Sequence, residues 1–273
     1  MLVDELATLG FGFIEIGTVT PLPQSGNPKP RLFRLKKDQA LLNRMGFNNH
    51  GADVIASRLS SRKSDILIGA NIGKNKNTPN EQAISDYEIC FEKLFDVVDF
   101  FVINVSSPNT EGLRSLQDKV PLQALLNHIM KLNMAKDIPK PVLLKIAPDL
   151  SESQLDDIIH IVLSEKISGL IATNTTISQN NLNTSKQKLQ KLGSGGISGL
   201  PLKNRSSEVI RYIRNKSVGK IKVIGVGGIL DAEDAIEKIS SGASLVELYT
   251  GLIYSGPGLV ASINKKLINS NNT

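Results

Sequence analysis

Val142-Leu143-Leu144-Lys145 ends an apolar run on a charged residue, and its neighbours along the chain end alike: Ile68-Gly69-Ala70-Asn71, Val102-Ile103-Asn104 and Ala172-Thr173-Asn174. Runs that are almost wholly apolar belong to parallel strands covered on both faces. Seven are expected: Ile14–Thr18, Ile66–Asn71, Phe100–Val105, Val142–Ile146, Leu170–Thr173, Val223–Val226 and Leu245–Tyr249. Between them the apolar spacing becomes helical, as in Tyr87, Cys90, Phe91, Leu94, Phe95 and in Leu155, Ile158, Ile159, Val162, Leu163. Ser151 with Gln154 forms a capping box before the second, and Asp231 reads as another N-cap.

Repeated βα units build either a doubly wound sheet or a closed barrel. Polar residues at successive strand ends favour the barrel, because there they converge on one mouth, where active sites lie. The last two strands run into glycine-bearing turns, Gly225-Val226-Gly227-Gly228 and Tyr249-Thr250-Gly251, and such turns late in a barrel commonly hold phosphate. The chain opens inside a helix whose Leu2, Val3, Leu6 and Leu9 share a face, with Gly10 and Gly12 ending it. The fold expected is therefore an α/β (β/α)8 TIM barrel lacking its first βα unit, with residues 1–273 as one domain. Pro21 to Asn43 would cross the mouth, and residues 269–273 read as a disordered tail.

Composition narrows the function. The 273 residues are 40% hydrophobic and 21% charged, as expected of a globular chain. A net charge of +6 could attract phosphates, nucleic acid or an anionic membrane. With 4% aromatics, no Trp and basic residues scattered over many helices, nucleic-acid binding is not expected. The lone cysteine, Cys90, excludes a disulfide framework and reads as core. His50, His128 and His160 have no metal-ligand spacing and read as solvated, so no metal is expected.

Three features carry chemistry. Gly193–Gly199 and Gly225–Gly228 could present backbone N–H groups to an anion; either alone is more often a tight turn. Gly69 to Lys74 misses a Walker A loop in spacing. Asn43, Asn71, Asn104, Asn109 and Asn174 offer paired donors and acceptors suited to the imide edges of a heterocycle, though a solitary strand-end asparagine is usually a turn residue. Lys145 must reach a cavity, pair with an anion, or reach solvent beyond its strand.

The runs Ile14-Glu15-Ile16-Gly17-Thr18-Val19-Thr20-Pro21, Pro30-Arg31-Leu32-Phe33-Arg34, Asn43-Arg44-Met45-Gly46-Phe47-Asn48-Asn49, Asn71-Ile72-Gly73-Lys74-Asn75, Asn104-Val105-Ser106-Ser107-Pro108-Asn109-Thr110, Lys145-Ile146-Ala147-Pro148-Asp149-Leu150, Ala172-Thr173-Asn174-Thr175-Thr176, Gly195-Gly196-Ile197-Ser198-Gly199 and Gly225-Val226-Gly227-Gly228-Ile229 together resemble the quinone-dependent, class 2 dihydroorotate dehydrogenases. The resemblance spans Ile14 to Gly251. It implies an FMN enzyme that oxidises dihydroorotate to orotate in pyrimidine biosynthesis and passes electrons to a quinone. FMN would bind through Thr18, Asn71, Asn104, Lys145 and Thr173, its phosphate through Gly199, Gly228, Tyr249 and Thr250. Substrate would meet Asn43, Arg44, Met45, Gly46, Phe47, Asn104, Asn109, Asn174 and Thr175.

Ser107 matches the family's catalytic base, where soluble class 1 enzymes carry cysteine. It would take the C5 proton as C6 gives hydride to the flavin, relaying the proton through Thr110 or water. Family members begin with a membrane-associated helical segment at the quinone entrance and a first strand with an Ala-Gly-Leu-Asp-Lys-like run. This chain starts after both. The resemblance thus implies peripheral association with the cytoplasmic face of the inner membrane, and a cytoplasmic location for this chain alone. The rival expectation is a catalytically dead barrel that binds FMN or orotate at most.

Overall fold

The computed structural model describes residues 2–180 and 182–270. Its ten strands are β1 (Phe13–Val19), β2 (Leu32–Leu35), β3 (Ala40–Asn43), β4 (Leu67–Ile72), β5 (Phe100–Asn104), β6 (Val142–Ile146), β7 (Gly169–Ala172), β8 (Gly196–Gly199), β9 (Val223–Val226) and β10 (Leu245–Glu247). Seven form one sheet in the order β1-β4-β5-β6-β7-β9-β10, and every ladder in it is parallel. These are the seven expected strands, with ends shifted by one or two residues.

Side chains alternate across a strand, so each β-strand deals its residues to two layers. Ile68, Ala70, Ile72, Phe101, Ile103, Val142, Leu144, Ile146, Leu170, Ala172 and Val223 face outward into the main core, against helices such as Ala83–Leu94, Glu152–Ser164 and Lys203–Lys216. The other parity points inward. Val102, Leu143, Ile171 and Ile224, with Phe13, Phe100 and Val226, fill the interior. At the carboxyl ends the same parity presents Glu15, Asn71, Asn104, Lys145 and Glu247. Lys145 on the central β6 meets carboxylates from both edge strands, Glu15 of β1 at 2.6 Å and Glu247 of β10 at 3.5 Å. The sheet therefore curls until its two edges face one another.

Both expected caps form: the Ser151–Gln154 box before Glu152–Ser164, and Asp231, which accepts from the Asp234 amide, before Ala232–Ser241. The opening helix is Val3–Ala7, with no side-chain cap at Leu2.

The Pro21–Asn43 excursion crosses the mouth as expected, its β2 and β3 joining β8 in a second, antiparallel sheet. Three other expectations need correcting. Residues 196–199 of the glycine run are a strand rather than a loop, with Gly199 at the cavity wall. Gly196 is required there by close packing, since a Cβ would lie 2.1 Å from Thr175 Oγ1. The helix Gly258–Ser270 extends into the stretch expected to be disordered, while residues 271–273 lie outside the described residues. His128, expected to be solvated, is half-buried and 2.6 Å from Glu88. Cys90 is buried in the core as expected.

Candidate active site

A cavity of about 360 Å³ opens at the carboxyl ends of the strands. Its size suits a small ligand or cofactor. The antiparallel sheet and the segment after it supply Asn43, Met45, Gly46, Phe47, Ser198 and Gly199; the parallel strands supply Thr18, Asn71, Asn104, Lys145 and Thr173. Ser107, Asn109, Asn174, Thr175, Gly228, Tyr249 and Thr250 complete the expected set. Arg44 is the exception. Its guanidinium turns to the carbonyls of Leu192 and Ser194 and stacks over Phe33, outside the cavity wall. The sequence places it beside true lining residues, but alternation along an extended segment sends its side chain the other way.

The floor is a continuous polar chain. Asn71 Nδ2 donates to Glu15 Oε1 at 2.9 Å, and Asn71 Oδ1 accepts from Thr18 Oγ1 at 2.6 Å and from Asn104 Nδ2 at 3.0 Å. Asn104 Oδ1 accepts from Ser106 Oγ at 3.0 Å, and Ser106 Oγ accepts from Asn174 Nδ2 at 3.0 Å. Tyr87 donates its hydroxyl to the Asn104 carbonyl from behind. Side chains bonded at both ends cannot swing, so the amide faces left towards the cavity are held in place. Four of the five singled-out asparagines meet in two bonded pairs, Asn71 with Asn104 and Asn43 with Asn109, whose Nδ2 donates to Asn43 Oδ1 at 3.0 Å; Asn174 joins through Ser106.

Lys145 answers the question its sequence position raised: it both lines the cavity and pairs with anions. Burial by itself would lower its pKa, but Glu15 and Glu247 overcome that and hold the ammonium well above the ordinary lysine range. Glu247 is raised to about 8, by burial first and then by the neighbouring Glu15, against the pull of Lys145. Neither Glu15 nor Glu247 was foreseen as a site residue. The available signal was parity, since Glu15 lies two residues before Gly17, which pairs with Asn71, and so shares the inward face.

Ser107 is buried, and its Oγ accepts the Asn109 amide N–H at 3.2 Å. Its loop is braced by Arg114, a residue the sequence did not single out. Arg114 donates to the carbonyls of Ser106 and Thr175 and pairs with Asp149 at 2.8 Å, tying together the loops after β5, β6 and β7.

At the far end of the cavity, Gly227 and Gly228 have φ of 120° and 74°. A Cβ on Gly228 would lie 2.4 Å from Lys203 Cα, so only glycine fits. Thr250, starting the helix Thr250–Ser255, shares a 2.8 Å hydroxyl contact with Ser198. A second cavity of about 440 Å³ lies between β1 and β10, lined by Leu6, Phe11, Ile14, Leu248, Leu252 and Ile263 and sharing Glu15, Lys145 and Glu247 with the first. Among the described residues no helix is long and apolar enough to cross a membrane.

An amide-lined floor, a buried ammonium paired with carboxylates and a glycine turn at the mouth of a curled parallel sheet make the kind of polar cavity in which α/β enzymes work. Comparison with known proteins makes the class specific: the dihydroorotate dehydrogenase family matches residues 1–270, and the chain belongs to that family. It is 60% identical over 267 residues to the dihydroorotate dehydrogenase (quinone) of Christiangramia forsetii, covering 98% of this chain and 77% of that one. It is 48% identical over 276 residues to the protein of the same name from a Synechococcus strain, covering 96% and 72%. Among solved structures, the ferulenol complex of the Eimeria tenella enzyme superposes with a TM-score of 0.90 at 37% identity, covering 98% of this chain and 77% of that chain.

Proposed function

We propose that this chain oxidises dihydroorotate to orotate in pyrimidine biosynthesis, using FMN at the described mouth and a quinone as electron acceptor. The observation that carries the reading is the bonded floor Lys145–Glu15–Asn71–Asn104 beneath a cavity that also presents Ser107. The residues fit FMN. The buried Thr173 and Thr175 hydroxyl oxygens have no partner among the described residues, so the cavity has unmet polar valence for a bound group. Amides of Asn71 and Asn104 suit the ring's imide edge, and the cation of Lys145 suits electron density gathered there. Gly199, Gly228, Tyr249 and Thr250 would hold the phosphate. When bound, FMN supplies the two-electron acceptor that no side chain here can provide.

The chain's own residues do the rest. Asn43, Asn109 and Asn174, with Met45 to Phe47 and Thr175, would orient substrate against Ser107. Ser107 would remove the carbon-bound proton as its own hydroxyl proton is passed on, and the Asn109 amide directed at its Oγ would favour the alkoxide character gained when that proton leaves. No titrating partner of Ser107 is recorded among the described residues, so the proton would leave to Thr110, buried in the same loop, or to water. The apolar second cavity fits a quinone and shares a wall with the first, which supports electron exit on that side. The curl of the seven-stranded sheet supports a barrel of the (β/α)8 type, without its first βα unit, acting as one FMN-binding domain; its place as a peripheral protein at the cytoplasmic face of the inner membrane follows from the family resemblance alone.

The test is anaerobic mixing of the FMN-loaded chain with dihydroorotate. Bleaching of the flavin band with matching orotate formation is expected; yellow protein that does not bleach would favour the inactive-barrel reading instead.

A further inference from the structure

Behind the Gly225–Gly228 turn, on the side away from the cavity, lies a charged cluster that the proposed reaction does not use. Lys238, on the helix Ala232–Ser241, is 0% exposed. Its Nζ donates to the Lys203 carbonyl at 2.7 Å and to Ser207 Oγ at 2.6 Å, and Ser207 Oγ lies 2.9 Å from Glu237 Oε1. Lys203 Nζ pairs with Asp234 and, at 3.2 Å, with Glu237. Asp234 in turn accepts the Leu230 amide at 2.8 Å, directly after the turn. Ser206, one turn into Lys203–Lys216, donates to the Val226 carbonyl at 2.8 Å. The strand end, the glycine turn and the start of that helix are thus fastened into one body, with an ammonium inside it that has no direct carboxylate partner.

A fully buried ammonium is costly unless something repays its desolvation. Fixing a helix start could be done by a neutral donor, so a lysine here needs another reason. We propose that Lys238 is a positioning residue for the cofactor phosphate: from behind the turn it fixes the first turn of Lys203–Lys216 and supplies the positive charge by which the cradle prefers a phosphate-bearing flavin to one without phosphate. The inference rests on the cofactor phosphate lying at Gly228, as in the proposed function.

Electrostatics gives it a signature. Burial lowers Lys238 to about 8, against the nearby Glu237 and Asp234 carboxylates, and Lys203 and Arg211 also face it. Lys203 is held above its ordinary range by its bond to Asp234, while Glu237, despite burial, is held below its own by Ser207 and Lys203. Neither of these two therefore changes charge in mild alkali. A phosphate monoester is dianionic above a second pKa of about 6, so the ligand's phosphate is constant as well. Linkage then requires that phosphate binding and Lys238 protonation strengthen each other by the same factor.

The experiment measures dissociation constants of FMN and of riboflavin by fluorescence for the unaltered chain, Lys238→Met and Lys238→Arg, at about pH 7 and about pH 9. The ratio of the two cancels titration of the flavin ring, which both share. For the unaltered chain the preference for FMN should fall with pH by roughly tenfold, within the usual range for coupling between two sites. Lys238→Met should show the weaker preference at both pH values with riboflavin binding unchanged, and Lys238→Arg, always charged, should keep the stronger one at high pH. A preference in the unaltered chain that does not move with pH overturns the inference. So does a Lys238→Met variant that loses both flavins alike, which would mean packing alone. Equal binding of FMN and riboflavin by the unaltered chain at pH 7 would overturn the phosphate cradle itself, and the inference with it.

Discussion

Replacing Glu247 by glutamine removes one carboxylate from the group that holds Lys145, yet it should stabilise the protein at neutral and alkaline pH. In the folded chain the Glu247 carboxyl titrates at about 8, raised by burial and by Glu15, against 4.5 for an unperturbed glutamate. The folded state therefore keeps a proton that the unfolded state releases, and stability falls as pH rises from 4.5 through about 8, then levels. At ~1.4 kcal/mol per pH unit the whole span comes to roughly 5 kcal/mol, of which roughly 3 is lost by pH 7. Glutamine closely matches the protonated acid in shape and does not titrate. Glu247→Gln should thus exceed the parent by only about 1 kcal/mol near pH 5 and by about 3 kcal/mol at pH 7. Lys145 keeps Glu15 at 2.6 Å throughout, so its ammonium stays paired. Urea unfolding of both proteins at several pH values from about 5 to 9 reads the difference from the shift in midpoint at constant slope. Two stability curves that run parallel across that range would refute the reasoning, because Glu247 would then ionise as an ordinary carboxyl.

Lys145→Met leaves Glu15 and Glu247 buried without their cation, so it should cost about 3 to 5 kcal/mol, more at pH 9 than at pH 6 because a protonated carboxyl hides part of the loss; urea unfolding at the two pH values measures it, and the flavin's reduction potential should fall. Ser107→Ala should retain FMN but slow its reduction by dihydroorotate about 10²- to 10⁴-fold in stopped flow, with Ser107→Cys in between; an unchanged rate removes Ser107 from the mechanism. Gly228→Ala combines a positive φ with a Cβ 2.4 Å from Lys203 Cα, and should lower stability by at least about 2 kcal/mol and leave the purified chain short of flavin by absorbance.

What could be read from the sequence and what could not divide along a physical line. The seven parallel strands announce themselves because helices cover one face and the packed interior the other, so runs such as Phe101-Val102-Ile103 are apolar at both parities. The mouth was legible for the complementary reason, since a polar residue ending such a run has nowhere to go but the cavity, as Asn71, Asn104 and Lys145 do. The antiparallel sheet left no such trace. Its ladder joins Asn43 to Gly196 and Ala40 to Gly199, partners far apart in sequence, and glycines in β8 erase the alternation that would mark a strand. Gly196 leaves room for the Thr175 side chain and Gly199 for the Gln39 backbone, and from sequence alone such a need for space looks the same as a need to cradle phosphate.

Glu15 and Glu247 escaped notice for a different reason: each sits inside an apolar strand at one edge of the sheet, and nothing local connects them. Only the curl of the sheet brings both to Lys145. The consequence is chemical. Two carboxylates and one ammonium in a buried place would carry a net negative charge if all were ionised, and burial with the neighbouring Glu15 accordingly pushes the Glu247 carboxyl up. Lys145 is thus part of a group whose charge can change by one proton at the cavity wall shared with the second, apolar cavity. A site that hands two electrons from a carbon acid to a quinone must also dispose of protons, and the carboxyl that burial pushes up lies at the wall between the two cavities.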